Sequence, residues 1–174
     1  MNTDVSISLE AFNAAEQGFV IDALRKCCNS HRWANRMAKQ RPFASYSQLV
    51  HTAEQIWSEM EEADYLEAFS HHPKIGDMDV LRQKYSQATR EQGQVAAASP
   101  EVIQALYETN LAYENKFGFI FIVCASGKSA EQMLGILRQR IDNDREAELK
   151  NAAAEQAKIT DIRLGQLFVH GENN

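Results

Sequence analysis

The chain has 174 residues, 44% of them hydrophobic and 24% charged, with a formal net charge of −6. That length suits one domain with a real hydrophobic core and is short for two. The acidic balance argues against a nucleic-acid backbone or an anionic membrane as the main partner, but leaves room for a small anionic ligand at a local basic site. No apolar run approaches the roughly 18 residues of a membrane span. The opening stretch "MNTDVSISLEAFNAAE" has no basic segment followed by an apolar one, so no signal peptide is expected. The three cysteines, Cys27, Cys28 and Cys124, include no Cys-x-x-Cys pair. They fit reduced thiols packed in the core of a cytoplasmic protein.

Ser8 precedes "LEAFNAAEQG", which predicts a short helix closed by Gly18. "FVIDALRKCCNS" predicts the next, with Phe19, Leu24, Cys27 and Cys28 near one face. "HRWANRMAKQ" follows and must stop at Arg41-Pro42. Ser45 with Gln48 forms a capping-box pattern before "LVHTAEQIWSEM", where Leu49, Ala53, Ile56, Trp57 and Met60 recur at helical spacing. "EADYLEAF" carries on, or forms a separate turn, as far as Ser70. The stretch "VLRQKYSQATREQGQVAAA" is helical in propensity.

Ser99-Pro100 is a strong helix start, with serine as cap and proline at the first helical position. The helix it opens runs to Gly118, with Val102, Leu106, Thr109, Tyr113 and Phe117 on one stripe. Ser129 with Gln132 is a second capping box, and a last helix spans about Asp144 to Phe168. One segment, "FGFIFIVCASG", does not read as helix. A lone strand lacks a partner, so a buried extended segment is expected near residues 118–125. The fold class is all-α: a single-domain helical bundle with that one extended apolar segment.

The chemistry centres on "SHHPKIGD". A residue before proline is pushed out of the α region, so the preceding helix breaks at His71-His72. Pro73 fixes its own φ and Gly76 permits a tight return, which mounts His72 on a stiff loop. Such an imidazole can move a proton near neutral pH. The plainer reading of the same residues is a surface histidine favoured by a helix C-terminus. His71, His72, Asp77 and Asp79 are close in sequence, but no His or Cys pair of metal-ligand spacing accompanies them, so no metal is expected. Glu91, in "TREQ", could orient the histidine or accept from substrate N–H groups; alternatively it is a solvated glutamate. The backbone of "GFIFIV" could recognise an amide-rich ligand, or the segment is plain core. Arg163 lies among Ile159, Ile162, Leu164 and Leu167, where an arginine sits at a helix edge or reaches an anion. Arg138 and Arg140 are the competing basic candidates.

Taken together, "LEAFN", "CCNSHRWA", "RPF", "EADYLEAFSHHPKIGD", "TREQ", "YENKFGFIFIVCASG" and "KITDIRLGQL" resemble the 2-oxo-4-hydroxy-4-carboxy-5-ureidoimidazoline (OHCU) decarboxylases of urate degradation. The resemblance runs from about Leu9 to Leu167. It implies an all-helical, commonly dimeric fold without metal or organic cofactor, converting OHCU to (S)-allantoin and CO₂. The family's catalytic histidine falls on His72, its glutamate on Glu91 and its C-terminal arginine on Arg163. Substrate contacts are implied at Pro73, at Ala88, Thr89, Arg90 and Gln92, and along Phe119, Ile120, Phe121, Ile122 and Val123. The chain departs from the family where a serine is common, at Ala88, where a proline is common, at Ile120, and in "EQGQV". Two competing classes are a non-catalytic helical binding module and a hydrolase of a related ureido compound.

Overall fold

A computed structural model of the chain describes residues 6–72 and 99–168. The expectations for Pro73, the turn at Gly76, the helix around residues 80–98, and Ala88, Thr89, Arg90, Glu91 and Gln92 lie outside the described residues. Among the described residues there are eight α-helices and no strand: α1 (Leu9–Ala14), α2 (Gln17–Cys27), α3 (His31–Lys39), α4 (Tyr46–Ser58), α5 (Glu62–Ser70), α6 (Pro100–Phe117), α7 (Ala130–Arg140) and α8 (Arg145–Leu167). The all-α class is therefore as the sequence predicts. An isolated parallel bridge joins Ile7 to Phe168.

Serines set five of these helix starts. The side chains of Ser8, Ser30, Ser45, Ser99 and Ser129 accept from the amides of Ala11, Trp33, Gln48, Val102 and Gln132. Each satisfies an amide that the first turn leaves without a partner. At Ser129 the box is complete, because Gln132 reaches back to the Ser129 amide. At Ser45 it is displaced: Gln48 accepts from the Ala44 amide instead, at 2.6 Å. α6 ends as expected at Gly118, which takes φ 82° and donates to the Glu114 carbonyl.

Three details differ from the sequence reading. Gly18 does not close α1; that helix ends at Ala14 with Ala15 as its C-cap, and Gly18 lies in the first turn of α2. Phe19 is 55% exposed, and Val20 joins Leu24 and Cys27 on the buried face. On α6 the buried stripe is Ile103, Leu106, Asn110, Tyr113 and Phe117, so Val102 and Thr109 sit at its edge. The predicted face is off by one residue at the N-terminal end of α2, and at two positions in α6, Val102 and Thr109.

The chain divides into two compact units: residues up to His71 with those from Ala153 onward, and His72 to Ala152. In the first, Phe12, Val20, Leu24, Trp33, Met37, Leu49 and Leu164 are wholly buried. Both tryptophans donate to carbonyls, Trp33 to Ala53 at 3.1 Å and Trp57 to Ala153 at 2.9 Å. Arg41 closes the C-terminal end of α1 by donating to the carbonyls of Phe12, Asn13 and Ala15. All three come from one Nη1 group, whose two hydrogens the carbonyls share; a full bond of this charged kind contributes roughly 1.5 kcal/mol or more.

The second unit is built on aromatic residues. Tyr113 packs against Phe117, Phe119 and Phe121, with ring centroids 4.5, 6.1 and 5.3 Å away. The run from Ile120 to Ala125 takes no regular structure; Phe121 and Ile122 in it are buried, as is Phe119 just before it. The expected extended apolar segment is thus present.

Candidate functional site

α5 carries the histidines to their place. Its N-terminal end is tied to α3 by Arg32, which donates to Asp64 at 3.1 Å, and its last turns by Glu67, which lies 2.5 Å from His31 Nδ1. His71 is the C-cap, at φ −94° and ψ 0°, and its amide donates back to Ala68. The helix therefore breaks where the following His-Pro requires it to. His71 is exposed and His72 half-buried.

Within the first unit, a recess of about 500 Å³ is lined by Asp22, Arg25, Lys26, Asn29, His71 and Arg163. The α2 residues in it follow from spacing: 22, 25, 26 and 29 step by three and four, which puts them on one side of a helix and its C-terminal extension. Arg25 donates from Nε to Asn29 Oδ1 at 2.9 Å, which fixes the plane of its guanidinium. Arg163 comes from α8 and is half-buried. Its positive charge reaches the thiols of Cys27 and Cys28 and lowers their pKa values slightly. Burial dominates, and both are pushed up to about 12. They are inert core thiols, and all three cysteines are buried and free, as their spacing suggests.

The recess reverses the sign of the chain. Three cations face it against one carboxylate, on a protein of net charge −6. Such a site suits a small anion or a ligand rich in carbonyl oxygen. Among the described residues no group of three His, Cys, Asp or Glu side chains could hold a metal ion. No helix of the described residues is long and apolar enough to cross a membrane.

In the second unit, the extended segment is held by a buried polar hub. Glu148 is fully buried and accepts from Tyr113 Oη (2.5 Å), Arg140 Nε (2.8 Å), Asn143 Nδ2 (2.9 Å) and Asn151 Nδ2 (2.7 Å). Burial alone would raise its pKa; the three neutral donors and the Arg140 charge outweigh this and hold it below the usual carboxylate range. Burial, and then the bond to Glu148, push Tyr113 up, so its phenol stays protonated. Arg140 also donates to the Ile122 carbonyl at 2.7 Å and lies over the Phe121 ring. Arg140 is thereby committed inside the protein, which removes it as a competitor to Arg163. The Ile122 carbonyl is likewise already bonded within the chain.

Of the residues singled out from sequence, the recess joins His71 with Arg163. Phe119, Ile120, Phe121, Ile122 and Val123 belong to the second unit, as does His72 by chain position. Pro73, Glu91 and its neighbours lie outside the described residues. Asp22, Arg25, Lys26 and Asn29 were missed by the sequence reading, which took α2 for its apolar face; their own spacing was the available signal.

Comparison with known proteins gives one family. The model for the OHCU decarboxylase family matches residues 13–165. The chain is 39% identical over 155 residues to the uric acid degradation bifunctional protein TTL of Arabidopsis thaliana, covering 84% of this chain and 47% of that protein. It is 28% identical over 134 residues to the 2-oxo-4-hydroxy-4-carboxy-5-ureidoimidazoline decarboxylase of Xenopus laevis, covering 75% and 77% of the two chains. The alignment thus spans about half or less of the length of the bifunctional relatives, and most of the length of the decarboxylases. Among solved structures, an OHCU decarboxylase crystallised in the presence of (S)-allantoin superposes with a TM-score of 0.71 at 37% identity, covering 88% of this chain and 99% of that one. The fold is shared with an (S)-allantoin synthase structure at 17% identity and a TM-score of 0.72. The chain belongs to the OHCU decarboxylase family.

Proposed function

We propose that the chain is a cofactor-independent decarboxylase that converts OHCU to (S)-allantoin and CO₂, acting as a cytoplasmic homodimer. The family match over residues 13–165 is the observation that carries this reading, and the cationic recess with Arg163 and His71 is consistent with its anionic substrate.

Decarboxylation needs a place for the electron pair of the breaking C–C bond. In OHCU the adjacent ring imine accepts it, so the substrate is its own electron sink. The protein then has to orient the carboxylate, polarise the ring and direct one proton to one face. His72, linked to Glu91, hydrogen-bonds the hydroxyl and carboxyl region and assists loss of CO₂. Arg163 holds an electron-rich part of the ligand, the ureido carbonyl or the carboxylate. Pro73, Ala88, Thr89, Arg90 and Gln92 line the ligand, and the backbone from Phe119 to Val123 fixes its ureido and ring amides. The bond from Arg140 to the Ile122 carbonyl supports that last role by holding the segment in one conformation.

The test generates OHCU in situ from urate and follows the circular dichroism of allantoin. Wild-type protein is expected to accelerate formation of the (S) form, and His72→Asn to lose about a hundredfold or more in rate while remaining folded. A folded His72→Asn variant with near-normal activity would remove the assigned role.

A further inference from the structure

The recess holds more positive charge than Arg163 alone supplies, and α2 provides it. Arg25 and Lys26 lie in the last turn of α2, where the helix dipole favours a cation. The dipole does not require both to face a recess that a third cation enters from α8. Among the described residues, none of the three forms an ion pair with a carboxylate. Asp22, in the same wall, offsets one charge and leaves an excess. The bond to Asn29 limits the freedom of the Arg25 guanidinium, so less entropy is lost when it takes a ligand oxygen.

We propose that Arg25 is a substrate-binding residue that captures the carboxylate of OHCU, with Lys26 adding to the attraction at the rim. This rests on the decarboxylase reading above and assigns Arg163 to the ureido carbonyl. The chemistry of the step decides what such a contact can do. The carboxylate loses its charge as CO₂ forms, so a cation bound to it stabilises the ground state more than the transition state. Arg25 therefore serves affinity and leaves the chemical step to other groups.

The product supplies the control. Allantoin has lost the carboxylate but keeps the ureido group. Arg25→Gln is expected to raise KM for OHCU about tenfold, with kcat unchanged or slightly higher, as for loss of one charge-assisted bond. Inhibition by (S)-allantoin should be the same for variant and wild type. Arg25→Lys should recover part of the affinity, and the wild-type KM should rise with ionic strength more steeply than that of Arg25→Gln. An unchanged KM, or equal weakening of substrate and product, would overturn the assignment, the second outcome marking a merely structural role. A wild-type protein with no effect on OHCU would overturn the decarboxylase reading itself, and this inference with it.

Discussion

Removing the Glu148 carboxylate leaves Arg140, whose side chain is only 11% exposed, without its counter-charge. Breaking a buried pair in this way costs about 3–5 kcal/mol, so Glu148→Ala is expected to lower the urea midpoint strongly. The milder Glu148→Gln also exposes the pH dependence. The folded pKa of Glu148 lies below its ordinary value of 4.5, so its contribution is fully present above that value and disappears as pH falls through the folded one. The stability gap between wild type and Glu148→Gln should be wide near neutral pH and close under acid. Asp161 has the opposite sign. Burial, and then the hydrogen bond and charge of Glu54, raise it from 3.8 to about 6. An acid with a raised folded pKa favours folding below its ordinary value and costs stability as pH climbs through the raised one. Asp161→Asn should therefore melt higher than wild type near neutral pH and show no advantage below 3.8, a comparison that thermal melts at the two extremes make directly.

The helices show which local signals suffice. Four of the five serine caps, Ser8, Ser45, Ser99 and Ser129, are legible because the hydroxyl and the amide it serves are three residues apart and nothing distant enters; Ser30 caps α3 with the same spacing, and the sequence analysis does not single it out. Gly118 was legible for a similar reason, since a left-handed C-cap is a backbone demand. A Cβ there would meet nothing within 4 Å, so Gly118→Ala is expected to cost about 1–2 kcal/mol through φ 82° alone, measurable by chemical unfolding. Gly18 carried the same letter without the same meaning. α1 is closed by Arg41, whose bonds to Phe12, Asn13 and Ala15 span 26 to 29 residues and are invisible to a local reading. At their N-terminal ends the faces of α2 and α6 were misplaced by one position because Phe19 and Val20, or Val102 and Ile103, are equally apolar in sequence. Only packing distinguishes them, and it buried Val20 and Ile103.

For the whole chain, family membership was legible because motif residues are spread from "LEAFN" to "DIRL", and the family match over residues 13–165 covers nearly the same span. The recess was only half legible. Arg163 announced itself as a charge among apolar neighbours, whereas Arg25 and Lys26 looked like ordinary cations at a helix end until α8 brought Arg163 to the same hollow. Arg140 looked equivalent to Arg163 in sequence, and a fully buried carboxylate with no sequence signature set it apart. The central claim is the reaction, and the carboxyl carbon of OHCU reports on it most directly. With that carbon isotopically labelled, wild-type protein is expected to release the label as CO₂ in step with (S)-allantoin. Label retained in a soluble product with release of ammonia, or racemic allantoin formed at the uncatalysed rate, would contradict it.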